Sequence, residues 1–253
     1  MVGDIKITSR YGDGDYLSKN KDWHVEDSPW KASQIHKIIH RNNLKVQTIC
    51  EVGCGAGEIL NQLSLKDDYK NIEFFGYEIS DDAFELCSKR ETDHIHFFKE
   101  DLLEVQKKYD AVLCIDVFEH VENYMGFVRS LREKGEYKIF HIPLDLSVLS
   151  LIRGSLIHHR NTVGHLHHFT PDTAVATLID CGYEIIDTMY TTHFADQLTK
   201  SWKAKMLKLP RKILYKISPK LMSTLIGGSS LMILALAANF LTPIILYSSN
   251  SLP

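Results

Sequence analysis

Beyond Asp196 this 253-residue sequence contains no aspartate or glutamate. Lys200, Lys203, Lys205, Lys208, Arg211, Lys212, Lys216 and Lys220 crowd into that same stretch. The net charge of -3 therefore hides an acidic body and a basic segment suited to different partners. The five cysteines, Cys50, Cys54, Cys87, Cys114 and Cys181, include no CxxC pair, which removes the usual redox and zinc signatures. Three lie in apolar, strand-like runs and read as reduced core residues of a cytosolic protein. A zinc site on Cys50 and Cys54 is set aside because their glycine loop has a better use. The opening stretch MVGDIKITSRYGDGDY lacks a basic start followed by an apolar core, so no secretory leader is expected. One uncharged run, Ser230 to Tyr247, sits at the lower edge of bilayer-spanning length and includes Asn239 and Pro243. A buried closing strand is its expected use.

What is present is an alternation of apolar strand-like runs with helical patterns, the signature of a parallel α/β sheet. Strands are expected near 47–52, 71–79, 94–99, 109–116 and 137–142, with helices over 57–65, 81–90 and 123–134. Ser28 and Pro29 should cap a first helix carrying Ile35, Ile38 and Ile39. Thr170, Pro171 and Asp172 form an N-cap signal for a later helix that stops at Gly182. The runs YEIIDTMYTTHF and SSLMILALA supply two further strands. Between them lies the basic segment 197–226. Its Trp202, Met206, Leu209, Ile213, Leu214 and Ile217 recur at roughly helical spacing, broken by Pro210 and Pro219.

The stretch ICEVGCGAGEIL places Gly53, Gly55 and Gly57 between a strand and a helix. That geometry presents backbone N–H groups to a ligand, and glycine permits positive φ and close approach. The spacing is G-x-G-x-G followed by Glu58, not the G-x-G-x-x-G of a dinucleotide loop. About twenty residues on, Glu78 ends the second strand, where a carboxylate can accept from ribose hydroxyls. Asp101 ends the third, placed to accept from an adenine amino group, and Asp116 ends the fourth. Four successive strand tips thus carry a polar device at the edge where open α/β sheets bind ligands.

With EVGCGAGE, GYEIS, KEDLL and DVFEHV in that order, the sequence resembles the class I S-adenosylmethionine-dependent methyltransferases. The resemblance covers about 30–250. It implies a doubly wound, mostly parallel seven-stranded, Rossmann-like sheet whose last strand runs antiparallel. It implies S-adenosylmethionine as cofactor and S-adenosylhomocysteine as product. Glu51 and the loop Gly53, Cys54, Gly55 and Gly57 would approach the methionine part, Cys54 at a position with no special demand. Glu78 would bind the ribose and Ile79 pack on the adenine, whose edge Asp101 and Leu102 would fix. Asp116, Val117 and His120 would lie beside the cofactor. The implied layout is an N-terminal lid and first helix over 1–45, then the methyltransferase domain over 46–253.

Three segments bear on the methyl acceptor. Trp23, His24 and Trp30 could lid the cofactor, with Lys31 near its carboxylate, or the tryptophans could staple the helix to the core. Glu119 and His120 follow the fourth strand. The connection after the fifth strand carries Arg153, His158, His159, Arg160, His165, His167 and His168. A loop of that length inside a compact domain is usually functional. No carboxylate or cysteine completes a metal spacing, so no metal is expected. Arg153 and Arg160 instead suit an anionic or hydroxyl-rich substrate. His120, His141, His165 and His168 are candidate bases, needed if a hydroxyl must lose its proton.

The expected activity is methyl transfer to oxygen, less so nitrogen, of a small or glycan-like substrate. A non-catalytic cofactor-binding module and an NAD-dependent oxidoreductase are the alternatives. The glycine spacing and the lack of a Tyr-x-x-x-Lys pair disfavour the second. The basic segment is either a lid or a surface for anionic lipid, and a cytoplasmic protein is expected, peripheral to the membrane if the second reading holds. It lacks the interleaved aromatics of a nucleic-acid binder.

Overall fold

The protein, described by a computed structural model, is placed over residues 25–192 and 202–238. Trp23 and His24, the start of the basic segment, the side chains of Trp202 and Met206, and Asn239 and Pro243 lie outside the described residues.

Seven strands form one sheet: β1 (Thr48–Val52), β2 (Glu73–Tyr77), β3 (Ile95–Phe98), β4 (Tyr109–Ile115), β5 (Gly135–Pro143), β6 (Tyr183–Thr191) and β7 (Ser230–Ala237). Their spatial order is β3-β2-β1-β4-β5-β7-β6. All pairings from β3 to β5 are parallel, and β7 runs antiparallel between β5 and β6. The central strands are apolar on both faces because helices cover both, as parallel sheets require. Ile49, Phe74, Leu113, Ile139 and Leu234 face one core with α1 (Ser28–Arg41) and α2 (Glu58–Ser64). Cys50, Phe75, Val112, Phe140 and Ile233 face the other with α4 (Tyr124–Ser130) and α7 (Pro171–Asp180). The short α3 (Asp81–Cys87) follows β2. Cys50 and Cys54 therefore fall in separate cores, and all five cysteines are buried and free.

The last apolar run is indeed a strand over Ser230–Ala237. Elsewhere the structure corrects the sequence reading. Ser28 is the first helical residue rather than the cap, a place taken by Asp27. The connection after β5 is not structureless: it holds α5 (Val148–Arg153) and α6 (Ser155–Thr162), hinged at Gly154 with φ of 62°. A reciprocal Ser147–Ser150 capping box starts α5. The basic segment forms α8 (Trp202–Ile217) and α9 (Pro219–Leu225). Pro210 stays inside α8 at the expense of one backbone hydrogen bond, while Pro219 opens α9, where a missing N–H matters little.

Candidate functional site

A cavity of about 870 Å³ opens where β1, β2, β4 and β5 end. Two groups of residues line it, one turned in by the backbone and one by side chains.

On the first side, β1 ends in the glycine loop. Gly53 has φ of 62°, and a Cβ there would lie 3.2 Å from Val117. The loop is pinned to β2 by Glu78, whose Oε2 accepts the Gly55 N–H and whose Oε1 accepts the Ser80 N–H, both at 2.8 Å. Burial lifts the Glu78 carboxyl above the usual carboxylate range despite these bonds. Glu51 is fully enclosed, and its Oε2 is buried with no hydrogen-bond partner. Burial pushes its carboxyl well up, against the pull of Lys31. An orphaned carboxylate oxygen beside a Cβ-free turn fits a ligand that is cationic and approaches closely. Cys54 and Val117 line the same side, as does Ile79, 69% exposed at the cavity edge.

Asp116 ends β4 with φ of 54°, a left-handed conformation that costs a non-glycine residue and persists only where neighbours dictate it. Here they do. Its carboxylate takes Lys31 Nζ at 2.8 Å and His141 Nδ1 at 2.7 Å, and its N–H donates to the His141 carbonyl at 3.0 Å. His141 Nε2 meets Thr191 Oγ1 at 2.9 Å. Burial would raise Asp116, but His141 and Lys31 outweigh it and hold the group well below the carboxylate range. Trp30 packs edge-on to His141 with ring centres 6.1 Å apart.

Histidines line the second side. His120 and His165 stand edge to face at 4.9 Å, and both line the cavity. Burial and the neighbouring His165 pull His120 down to about 4. His165 Nδ1 is hydrogen-bonded to Asp145 Oδ2, which also lies 3.3 Å from His159 Nδ1 and 3.5 Å from His168 Nδ1. The neighbouring His159 and His165 hold the Asp145 carboxyl low against burial. Glu119 is fully buried with neither oxygen hydrogen-bonded. Its carboxyl is pushed well up by burial and by the Asp116 charge.

Several expected residues either do not reach the cavity or are already engaged there. Asp101 accepts the Leu103 N–H at 2.9 Å and caps the turn Leu102–Glu104, while Leu102 is sealed in the core. The tip of β3 thus contributes nothing to the lining. Gly57 is a packing glycine: a Cβ there would lie 2.5 Å from the Phe97 ring. Lys31 lines the cavity but is paired with Asp116, because a buried ammonium takes the nearest carboxylate. Arg153 and Arg160 lie exposed on α5 and α6, where hydration favours a guanidinium. His168 contacts Asp145 from outside the lining, and His141 is spent between Asp116 and Thr191.

Sequence reasoning missed Asp145 and Thr191 among the site residues. Asp145 lies two residues past the end of β5, so the strand-tip logic used for Glu78 and Asp116 would have found it. Thr191 ends an antiparallel edge strand and carried no signal.

A family profile described as a methyltransferase domain matches residues 25–188, well over half of the chain. The ubiquinone biosynthesis O-methyltransferase of Rickettsia typhi is 34% identical over 132 residues, 47% of this chain and 46% of that protein. The chain spans about half the length of the curated relatives it first matches. The magnesium-protoporphyrin O-methyltransferase of Synechocystis is 27% identical over 197 residues, 73% of this chain and 84% of that protein. Its crystal structure with bound SAH superposes with a TM-score of 0.55 at 17% identity, covering 86% of each chain. A putative methyltransferase complexed with the Trm112 activator of Haloferax volcanii superposes at 0.60 and 14% identity, covering 90% of this chain and 96% of that one. Together with the glycine loop and the reversed β7, the profile match establishes that the chain belongs to the class I S-adenosylmethionine-dependent methyltransferase family.

Proposed function

We propose that this protein transfers a methyl group from S-adenosylmethionine to a hydroxyl oxygen of a small acceptor. The observation that carries this reading is the convergence of the glycine loop, Glu51, Glu78 and Asp116 on one cavity whose far wall is imidazole. The cofactor supplies an electrophilic methyl group on a sulfonium. The chain's part is to hold the cationic end near Glu51 and the Gly53 turn, to offer Glu78 to the ribose, and to give Ile79 as an apolar ledge. In-line displacement then needs the acceptor oxygen aligned and water excluded.

A hydroxyl must lose its proton as it is methylated, and His120 is the group assigned to take it. Its turn, Phe118–His120, starts directly after Val117, the residue that packs on Gly53. His120 therefore stands where the cofactor side and the histidine side meet. Oxygen as the acceptor atom agrees with the curated relatives, which are O-methyltransferases. A glycan hydroxyl would satisfy the same wall. Calorimetric titration with S-adenosylmethionine and S-adenosylhomocysteine tests the reading. Saturable heat is expected from both, and none from either in folded protein would overturn it.

The basic segment adds a partner. Leu209, Ile213 and Ile217 are exposed on α8 among Lys208, Lys212 and Lys216. Apolar residues ringed by lysine suit an anionic lipid surface. Among the described residues no helix is long and apolar enough to cross a membrane. Flotation with anionic liposomes, absent with neutral ones, is the expected result.

A further inference from the structure

We propose that Asp145, His159 and His165 form a binding site for one divalent transition-metal cation, with zinc as the best fit, at the mouth of the cavity. The residues come from two places that sequence spacing does not connect: Asp145 follows β5, while His159 is on α6 and His165 just beyond it. Folding brings one oxygen or ring nitrogen from each within 4.8 Å of the others.

Two of the three histidine contacts to Asp145 are spaced as for ligands sharing one cation, and the third, His165 Nδ1, meets Asp145 Oδ2 in a direct hydrogen bond that a cation would replace. Zinc–nitrogen and zinc–oxygen bonds of about 2.0–2.1 Å set tetrahedral ligand atoms about 3.4 Å apart. Asp145 Oδ2 lies 3.3 Å from His159 Nδ1. The His159 and His168 Nδ1 atoms are buried and make no hydrogen bond, although both stand within 3.5 Å of that oxygen. Three imidazoles directed at one carboxylate oxygen use it poorly as a hydrogen-bond acceptor and well as a metal ligand beside them. The donor set points the same way: imidazole with a single carboxylate selects zinc and its first-row neighbours, whereas magnesium and calcium favour all-oxygen cages.

A second triad, Glu119, His120 and His165, shares His165. It is the weaker candidate because Glu119 is wholly buried and does not line the cavity, whereas Asp145, His159 and His165 all do. With Asp145, His159 and His165 as its three ligands, a tetrahedral cation keeps a fourth position for a ligand, provided His168 stays out of the set. An acceptor oxygen bound there would be polarised beside His120. In that sense the site deepens the proposed methyl transfer, yet cation binding itself does not depend on it.

The test is calorimetry of zinc chloride into the full chain stripped with chelator and free of cofactor, with bound zinc counted after dialysis. Roughly one equivalent is expected, with a rise in melting temperature and no comparable response to magnesium. Asp145→Asn and His159→Gln should each weaken zinc binding at least about tenfold. Glu119→Gln should not, and neither should His94→Gln, which alters the exposed Glu73–His94–His96 cluster elsewhere. His159→Gln lies on a partly exposed helix and keeps the test open if Asp145→Asn fails to fold. Absence of bound zinc, or binding indifferent to both site variants, overturns the proposal. Loss through Glu119→Gln alone moves the cation to the other triad and overturns it equally. Titration with S-adenosylmethionine runs separately, so protein that binds cofactor but no zinc defeats this site alone, and the reverse defeats methyl transfer alone.

Discussion

The wall of the cavity formed by β1, β2 and β4 is made of residues set directly at strand tips, whereas the wall after β5 is carried by the connection that holds α5 and α6. In the first, positions are set by the sheet: Gly53 and Asp116 are held at positive φ by strands on either side. In the second, His159 and His165 owe their placement to α5 and α6, six and eight residues long and largely exposed. Under the proposed function the first wall would meet the cofactor and the second the acceptor. That division predicts that damage on one side should spare the work of the other.

The sharpest way to break this comparison is His120→Ala. Turnover should fall about 10²–10⁴-fold, as for loss of a general base, while cofactor affinity stays unchanged. A matching loss of cofactor affinity would mean the two walls are one device. Next is Asp116→Ala, which strips the shared partner from Lys31 and His141. It should cost about 3 kcal/mol of folding stability, read by urea denaturation. A change under about 0.5 kcal/mol would show that the strained tip is not held by these pairs. Glu78→Ala should lose roughly 1–3 kcal/mol of cofactor binding, both directly and by freeing the Gly55 amide. Unchanged affinity would place the ribose elsewhere.

The smallest effect concerns Glu51. Burial raises its carboxyl and so favours the protonated form. A cationic ligand favours the ionised form, so binding must release a fraction of a proton and tighten as pH rises. Calorimetry in two buffers of different ionisation heat should give different apparent enthalpies for the native chain and equal ones for Glu51→Gln. Equal heats for both would put the charge away from Glu51.

The same division explains what could be read beforehand. Strand tips with Glu78 and Asp116 were legible because a parallel sheet delivers its loops to one edge, whatever the details of packing. Asp101 misled for the same reason: its position at a strand tip is right, but its side chain turns to its own backbone two residues on, as aspartate readily does. The histidine wall was legible as a composition and not as a geometry. Nothing in the spacing of His159 and His165 says that Asp145 lies between their rings, since that meeting depends on how two short helices fold back. Asp145 turned a group of histidines, read as unable to complete a metal site, into a candidate one.

The position of β7 has a consequence for how the molecule comes into being. This strand lies between β5 and β6, both of which precede it in the chain, and Ser229 and Ser230 at its start line the cavity. During synthesis, β6 has no neighbour to pair with until the segment near residue 230 has emerged. Thr191, the partner of His141, waits with it. A chain halted before that point would own every cofactor-side residue and still present an open sheet with an unclosed pocket. The closing of this wall therefore waits on β7, which pairs with β6 and brings Ser229 and Ser230 beside Thr191.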